Sequence, residues 1–285
     1  MSRTSLLWLA ALLTTVAPCL AQIRVCASGC DHTTIKDAVQ ASSAGDTILV
    51  EPGEYAETRL DIVNLTIQST QPSNPSATTI TSTGEDSPVI VVRGGSLVEG
   101  FTITGGTFTG QGGGVGRGGG IATLRNLVIE GNSANVGGGI GGNIGSSITL
   151  IENCLIRNNT ASNVGGGISG QPGGTTILNS IITDNVVNDT SGTGGGAGVN
   201  IPQDAPARIS NSIISNNLGQ GLRGGIGAGV LSNGTLSMSG TEIFGNVAAD
   251  GLRSGRGSGV YLSNQGTSVI SGGSISGNQA GQGGG

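Results

Sequence analysis

Aromatic residues make up only 2% of this 285-residue chain, charged residues only 10%, and there is a single histidine, His32. Each shortage excludes something. With Phe101, Phe108, Phe244, Tyr55 and Tyr261 as the aromatics beyond the first 21 residues, no platform for stacking sugars or bases is visible. A formal charge of -5 argues against nucleic acid, which calls for a basic face. One histidine leaves a histidine-based metal centre without ligands. After the first 21 residues no apolar run approaches the roughly 20 residues that cross a bilayer, so no transmembrane segment is expected.

What is abundant is glycine, at 56 residues, very unevenly placed. Only Gly29, Gly45, Gly53 and Gly84 precede residue 94. Collagen would need glycine at every third position, and that period is absent. A disordered linker would lack apolar residues, whereas 35% of this chain is apolar and Ile, Val and Leu recur throughout. The glycines therefore serve a folded structure with many tight corners.

Residues 1–21 read as a secretory signal peptide, with Arg3, an apolar stretch from Leu6 to Val16, and a small-residue exit at Cys19-Leu20-Ala21. In an exported chain Cys26 and Cys30 are close enough to form a disulfide, which the lack of histidine favours over a metal site. Cys154 lies in an apolar strand pattern and reads as a small core residue.

A heptad of the form Asn or Gly, two residues, Ile, two residues, Asn occurs six times, from NLVIEGN at 126–132 to GGSISGN at 272–278. Its closing residues are Asn132, Asn159, Asn185, Asn217, Asn246 and Asn278, spaced by 27, 26, 32, 29 and 32 residues. A glycine cluster ending in an apolar residue accompanies it and closes at Ile121, Ile140, Ile168, Val199, Val230 and Val260. The apolar runs are short and β-branched, which suits strands and not helices. Such a unit cannot bury its apolar face alone, but stacked units bury a continuous core. The closing asparagines are expected at corners, in the left-handed conformation, bonding one another from coil to coil. The fold class expected is therefore all-β: a single-stranded right-handed parallel β-helix, a solenoid with a short N-terminal capping helix. The helix is expected near residues 33–44, capped by Thr33 or Thr34, with Ile35, Ala38 and Val39 on one face. The organisation expected is 1–21 signal peptide, 22–60 cap and first strand, and 61–285 β-helix coils, the last one cut short and open to end-to-end association.

The stretch TTIKDAVQASSAGDTILVEPGEY resembles the opening of the pectin-lyase-like superfamily of right-handed β-helices. The downstream repeats are similar to those of polymorphic outer membrane proteins of chlamydial type. The resemblance spans residues 31 to 285 and implies architecture more than activity, because the superfamily houses lyases, hydrolases, esterases, adhesins and inert surface proteins. PGEYAE at 52–57 and EIFGN at 242–246 are similar to segments of pectin methylesterases, but Thr241 stands where that family's motif has its aspartate. No Asp-Asp pair exists for a polygalacturonase-like site, and hydrolysis of a glycosidic bond requires two facing carboxylates. Glu130, Glu152, Asp184, Asp189, Asp204, Glu242 and Asp250 occupy no common slot in the repeat, and Arg157, Arg223, Arg253 and Arg256 have no acidic cluster beside them for a calcium-dependent lyase. The reading is a secreted or surface-displayed, non-catalytic β-helix that contacts extracellular glycans or a host or neighbouring cell surface. The alternative is a polysaccharide-active enzyme. No catalytic, cofactor-binding or metal-binding residue is assigned; the asparagines and the Cys26–Cys30 pair are structural assignments.

Overall fold

Period-2 alternation of Ile and Val with polar residues, broken by glycine and asparagine every few residues, gives strands too short to stand alone and ideally suited to stacking. In a computed structural model, described over residues 20–281 except 85, 143–146, 191, 193, 222–224, 250–254 and 264–265, every strand pairing is parallel and joins one coil to the next. The signal-peptide reading falls almost entirely outside the described residues, as do Arg223, Arg253, Asp250 and the terminal glycines.

A typical coil runs through four strands: Gly120–Arg125 on face 1, Val128–Glu130 on face 2, Ser133–Val136 on face 3 and Ile140–Gly141 on face 4. Stacking about eight such coils yields parallel sheets of ten, nine, seven and eight strands on faces 1 to 4. Face 3 first appears at Thr107–Gln111. Before that point the coils turn directly from face 2 to face 4, which is why the glycine clusters are missing there.

On face 2 one side chain per coil points inward in strict register: Tyr55, Ile80, Ile103, Ile129, Ile156, Ile182, Ile214, Ile243 and Ile275. From Ile80 to Ile243 they are buried. Each contributes about 1.5–3 kcal/mol of apolar burial. Ile275, on the last described coil, is exposed, as are Val269 and Ile270.

The left-handed conformation does not fall on the closing asparagine, contrary to the sequence expectation. It falls on the first heptad residue (Asn126, Asn153, Asn179, Asn211, Gly240, Gly272) and on the sixth (Gly131, Asn158, Asp184, Asn216, Gly245, Gly277). Those are the two bends that flank the Ile strand, and Asn, Asp and Gly are the residues that tolerate them. The second heptad position makes a smaller ladder, in which Cys154 N–H donates to Ser180 Oγ and Ser180 N–H to Ser212 Oγ. Cys154 is buried and unpaired with another cysteine, and burial pushes its thiol up to about 12.

The glycine-cluster register also needs one correction. Val115, not Ile121, pairs with Ile140 on face 4, and the series continues through Ile168, Val199, Val230 and Val260. Ile121 lies on face 1 and is largely exposed, because Gly118 to Gly120 form a separate turn into the next strand.

At the front, helix α1 (Ile35–Ala41) is capped by Thr34, whose side chain accepts from Asp37 N–H, and buries Ile35 and Ala38 against the first coil. It is shorter than expected, since Ser42 already adopts extended backbone. Cys26 and Cys30 are joined by a disulfide just ahead of it. The buried Glu57 carboxylate accepts from the Ile35 and Lys36 amides and so caps the same helix from below. Burial raises its pKa, and the amides only partly offset this. A carboxyl raised in the folded state stabilises most below its unfolded value and loses that contribution as pH rises through the folded one. Glu57→Gln keeps an acceptor for the amides without the buried charge. The melting temperature of Glu57→Gln minus that of the unaltered chain is therefore expected to grow between pH 4 and pH 7; a constant difference would refute the assignment.

Candidate functional site

The six heptad asparagines form one ladder at the corner between faces 2 and 3, buried from Asn132 to Asn246 and half-buried at Asn278. Asn132 Nδ2 donates to Asn159 Oδ1 at 3.0 Å, Asn159 to Asn185 at 3.0 Å, Asn185 to Asn217 at 3.0 Å, Asn217 to Asn246 at 2.9 Å and Asn246 to Asn278 at 2.9 Å. Each Oδ1 also accepts the backbone N–H of the preceding asparagine, and the ladder starts where Gly106 N–H donates to Asn132 Oδ1. From Asn132 to Asn246 both amide ends are satisfied inside the core, so that stretch of the ladder offers nothing to a ligand.

The acids weighed from sequence are dispersed. Glu130 pairs with Arg157 at 2.6 Å and Glu152 with Arg125 at 3.0 Å, both between neighbouring coils on the outer surface. Among the described residues no three His, Cys, Asp or Glu side chains gather as a metal site would require. The segments similar to pectin methylesterases have structural employment: Tyr55 Oη donates to Glu51 O, Glu57 caps α1, the Thr241 hydroxyl donates to Ser239 O, and Asn246 belongs to the ladder.

A cavity of about 260 Å³ lies beside the PGEYAE segment, lined by Thr34, Glu54, Tyr55 and Glu57 among others, and one of about 320 Å³ lies on the last described coil beside Ile275 and Asn278. Two more adjoin each other on face 4 beside its corner with face 3. One, of about 240 Å³, is lined by Arg59, Arg93, Phe108, Gln111, Gly116, Arg117, Gly118 and Gly142, among others. A second, of about 210 Å³, is lined by Ser169, Asn200 and Pro202 and shares Gln111 and Gly142 with the first. The two are halves of one groove running along the solenoid axis. Its floor is bare at Gly116, the outward position next to Val91, where the preceding coil carries a side chain. The wall is made by a bulge. The face 3 strand shifts register between Phe108 and Gln111, leaving Phe108's ring over the Gly110 backbone. Asp86 holds that bulge by accepting from Thr109 N–H at 2.6 Å and from its hydroxyl at 2.7 Å, and the backbone bond lowers Asp86's pKa.

The rim is cationic. Arg59 and Arg93 share Asp61, at 3.0 and 3.4 Å, and Arg93's stem lies over Gly118. No Asp or Glu lines either half of the groove among the described residues. Neither Phe108 nor Gln111 was singled out by sequence as a site residue, because a bulge leaves no repeat signature. Arg117 was missed because one arginine within a glycine run reads as a solvated corner.

No protein-family model matches the chain, and no curated protein matches it in sequence. Solved structures do. The pectin methylesterase PemA of Erwinia chrysanthemi superposes with a TM-score of 0.53 at 11% identity over 90% of each chain. A pectin methylesterase of Aspergillus niger superposes at 0.50 with 15% identity, over 92% of this chain and 87% of its own. These identities carry the fold and not the activity. Among the described residues no helix is long and apolar enough to cross a membrane. The architecture of this chain is the one those enzymes have, an all-β right-handed parallel β-helix.

Proposed function

We propose that the protein contacts a polysaccharide, with a run of sugar units lying along the solenoid axis in the face 4 groove. The observation that carries this is the groove itself: an open trough lined by the glycines Gly116 and Gly142, with the Phe108 ring as its wall and Gln111 and Asn200 as amide hydrogen-bonders. Sugars are recognised by such pairings of an apolar face with planar amides. Likeness in fold to pectin methylesterases supports polysaccharide as the ligand class. The disulfide and the signal-like leader support action outside the cell, where disulfides persist. The similarity of the repeats to chlamydial-type surface proteins fits display at a cell surface.

Among the described residues neither half of the groove is lined by the paired carboxylates that glycoside hydrolysis requires, so we read it as a binding groove, with a polysaccharide-active enzyme of pectin methylesterase-like fold as the second reading. A polysaccharide retention series with neutral and acidic glycans, run beside methanol-release, reducing-sugar and unsaturated-uronate assays on pectins, tests this. Retention without turnover is expected, and Phe108→Ala is expected to weaken it about three- to tenfold. Turnover would replace the binding reading with the enzymatic one, and an unaltered Phe108→Ala protein would move the site away from the groove.

A further inference from the structure

The Phe108 wall of the groove belongs to a strand with a parallel neighbour on one side only. Thr107–Gln111 opens the face 3 sheet, so it pairs with Ser133–Val136 of the next coil and with no strand of an earlier one. An edge of that kind is ordinarily covered or broken. Here residues 86–88 cover it. Ser87 N–H donates to Thr107 O at 2.9 Å, in the one antiparallel bridge among the described residues. Asp86 accepts from both the N–H and the hydroxyl of Thr109. Pro88 is buried, lines the groove and packs over Gly116, where a Cβ would stand 3.0 Å from its Cγ. One short segment therefore clamps the wall of the trough and forms part of its floor.

The clamp falls on the bulge itself. Two residues, Thr109 and Gly110, stand where the next coil has Asn135 alone. A bulged residue lacks the ladder partner that would otherwise hold it, and Asp86 supplies that hold. The consequence is read at the next residue. A Cβ on Gly110 would be 2.4 Å from Phe108 Cε1 and 2.5 Å from Cζ, so the ring lies over the Gly110 backbone in space that only glycine leaves. Asp86 itself lines neither half of the groove.

We propose that Asp86 is a positioning residue for the groove: bound to Thr109, it fixes the bulge and so aims the Phe108 ring at a sugar chain lying in the trough. This rests on the polysaccharide reading above and adds the residue that holds the wall ready from outside the contact surface. A wall fixed before the ligand arrives spares binding the cost of ordering it.

Asp86→Gly removes the acceptor and keeps the left-handed backbone (φ 50°) without strain, whereas Asp86→Asn keeps both the acceptor oxygen and the conformation. Asp86 is exposed, so neither change is expected to unfold the chain. The first readout needs no ligand. A ring over Gly110 displaces that residue's Hα resonance upfield. The displacement is expected to collapse in Asp86→Gly, as in Phe108→Ala, and to persist in Asp86→Asn. The second readout is retention on pectin and on a neutral glucan. Asp86→Gly is expected to lose about three- to tenfold, as Phe108→Ala does, with Asp86→Asn close to the unaltered protein. In the Phe108→Ala background Asp86→Gly should cost nothing further, because it acts through the ring that is gone. An unmoved Gly110 Hα resonance in Asp86→Gly overturns the proposal, as does full additivity of the two losses. Both results leave the groove reading intact as long as Phe108→Ala weakens retention. If the resonance moves but the unaltered protein retains neither glycan, the groove reading fails and Asp86 remains the residue that aims the ring.

Discussion

Asn185→Ala is expected to cost about 3–5 kcal/mol, a large part of the stability of an ordinary domain. Asn185 sits mid-ladder and is wholly buried. Its Nδ2 donates to Ile156 O, Thr183 O and Asn217 Oδ1, and its Oδ1 accepts the Asn159 backbone and side-chain N–H groups, both at 3.0 Å. Truncation leaves two N–H donors and at least one carbonyl without partners in a dry interior, at roughly 1–3 kcal/mol each. Stacked repeats are stabilised by nearest-neighbour interfaces, so a break in the middle uncouples the coils on either side. Urea unfolding followed by circular dichroism should therefore lose its single sharp transition. Asn278→Ala, at the more exposed end of the ladder, is expected to cost no more than about 1 kcal/mol. Equal effects at the two positions would show that the ladder does not carry the load. Asn185→Asp sharpens the test: its carboxylate would face Asn217 Oδ1 and two carbonyls, so it should be worse than alanine at neutral pH and partly recover in acid, where the protonated group donates one bond again.

That ladder was legible in the sequence because each asparagine recurs at a fixed distance from an inward Ile, and repetition turns a weak local signal into a strong one. The location of the left-handed bends was not, although the residues were in plain view. Asn126, Asn153, Asn179 and Asn211 open the same heptad, and asparagine's two talents, tolerating positive φ and bonding its neighbours through the amide, are indistinguishable in a string of letters. The misplacement of the first glycine cluster at Ile121 has a similar origin. Gly112 to Val115 and Gly118 to Ile121 have nearly the same composition, and only pairing with Ile140 tells them apart. The groove lay further from reach. It is made by side chains that are absent at Gly116 and Gly142 and by a bulge that breaks the period at Phe108. One usable signal was overlooked: Arg117 falls two residues after the inward Val115, so strand alternation alone puts its side chain inside.

The glycine clusters and the asparagine ladder are two views of one packing problem, and Gly198→Ala exposes it. Gly198 has ordinary backbone torsions, so only space forbids a side chain there. A Cβ would stand 2.6 Å from Gly229 O, 3.0 Å from Asn217 Nδ2 and 3.0 Å from Ile214 Cγ2. It would press at once on the next coil's backbone, on the ladder and on the inward isoleucine stack. The equivalent glycines meet the ladder in the same way: Gly114 with Asn132, Gly139 with Asn159, Gly167 with Asn185, Gly229 with Asn246 and Gly259 with Asn278. The middle residue of the cluster has more latitude, being Gly138, Gly166, Ala197, Ala228 and Ser258 in successive coils. Gly198→Ala is therefore expected to cost about 3 kcal/mol through overpacking and a displaced amide. Ala197→Gly, one residue away, should cost about 1 kcal/mol. The shared space has a measurable signature in a double-mutant cycle. Asn217→Ser removes the amide that the new methyl strikes, so Gly198→Ala combined with Asn217→Ser should be less destabilised than the sum of the two single changes. Strict additivity in equilibrium unfolding would mean that the glycine answers to the backbone of the next coil alone, and that the two repeated signals are neighbours without being coupled.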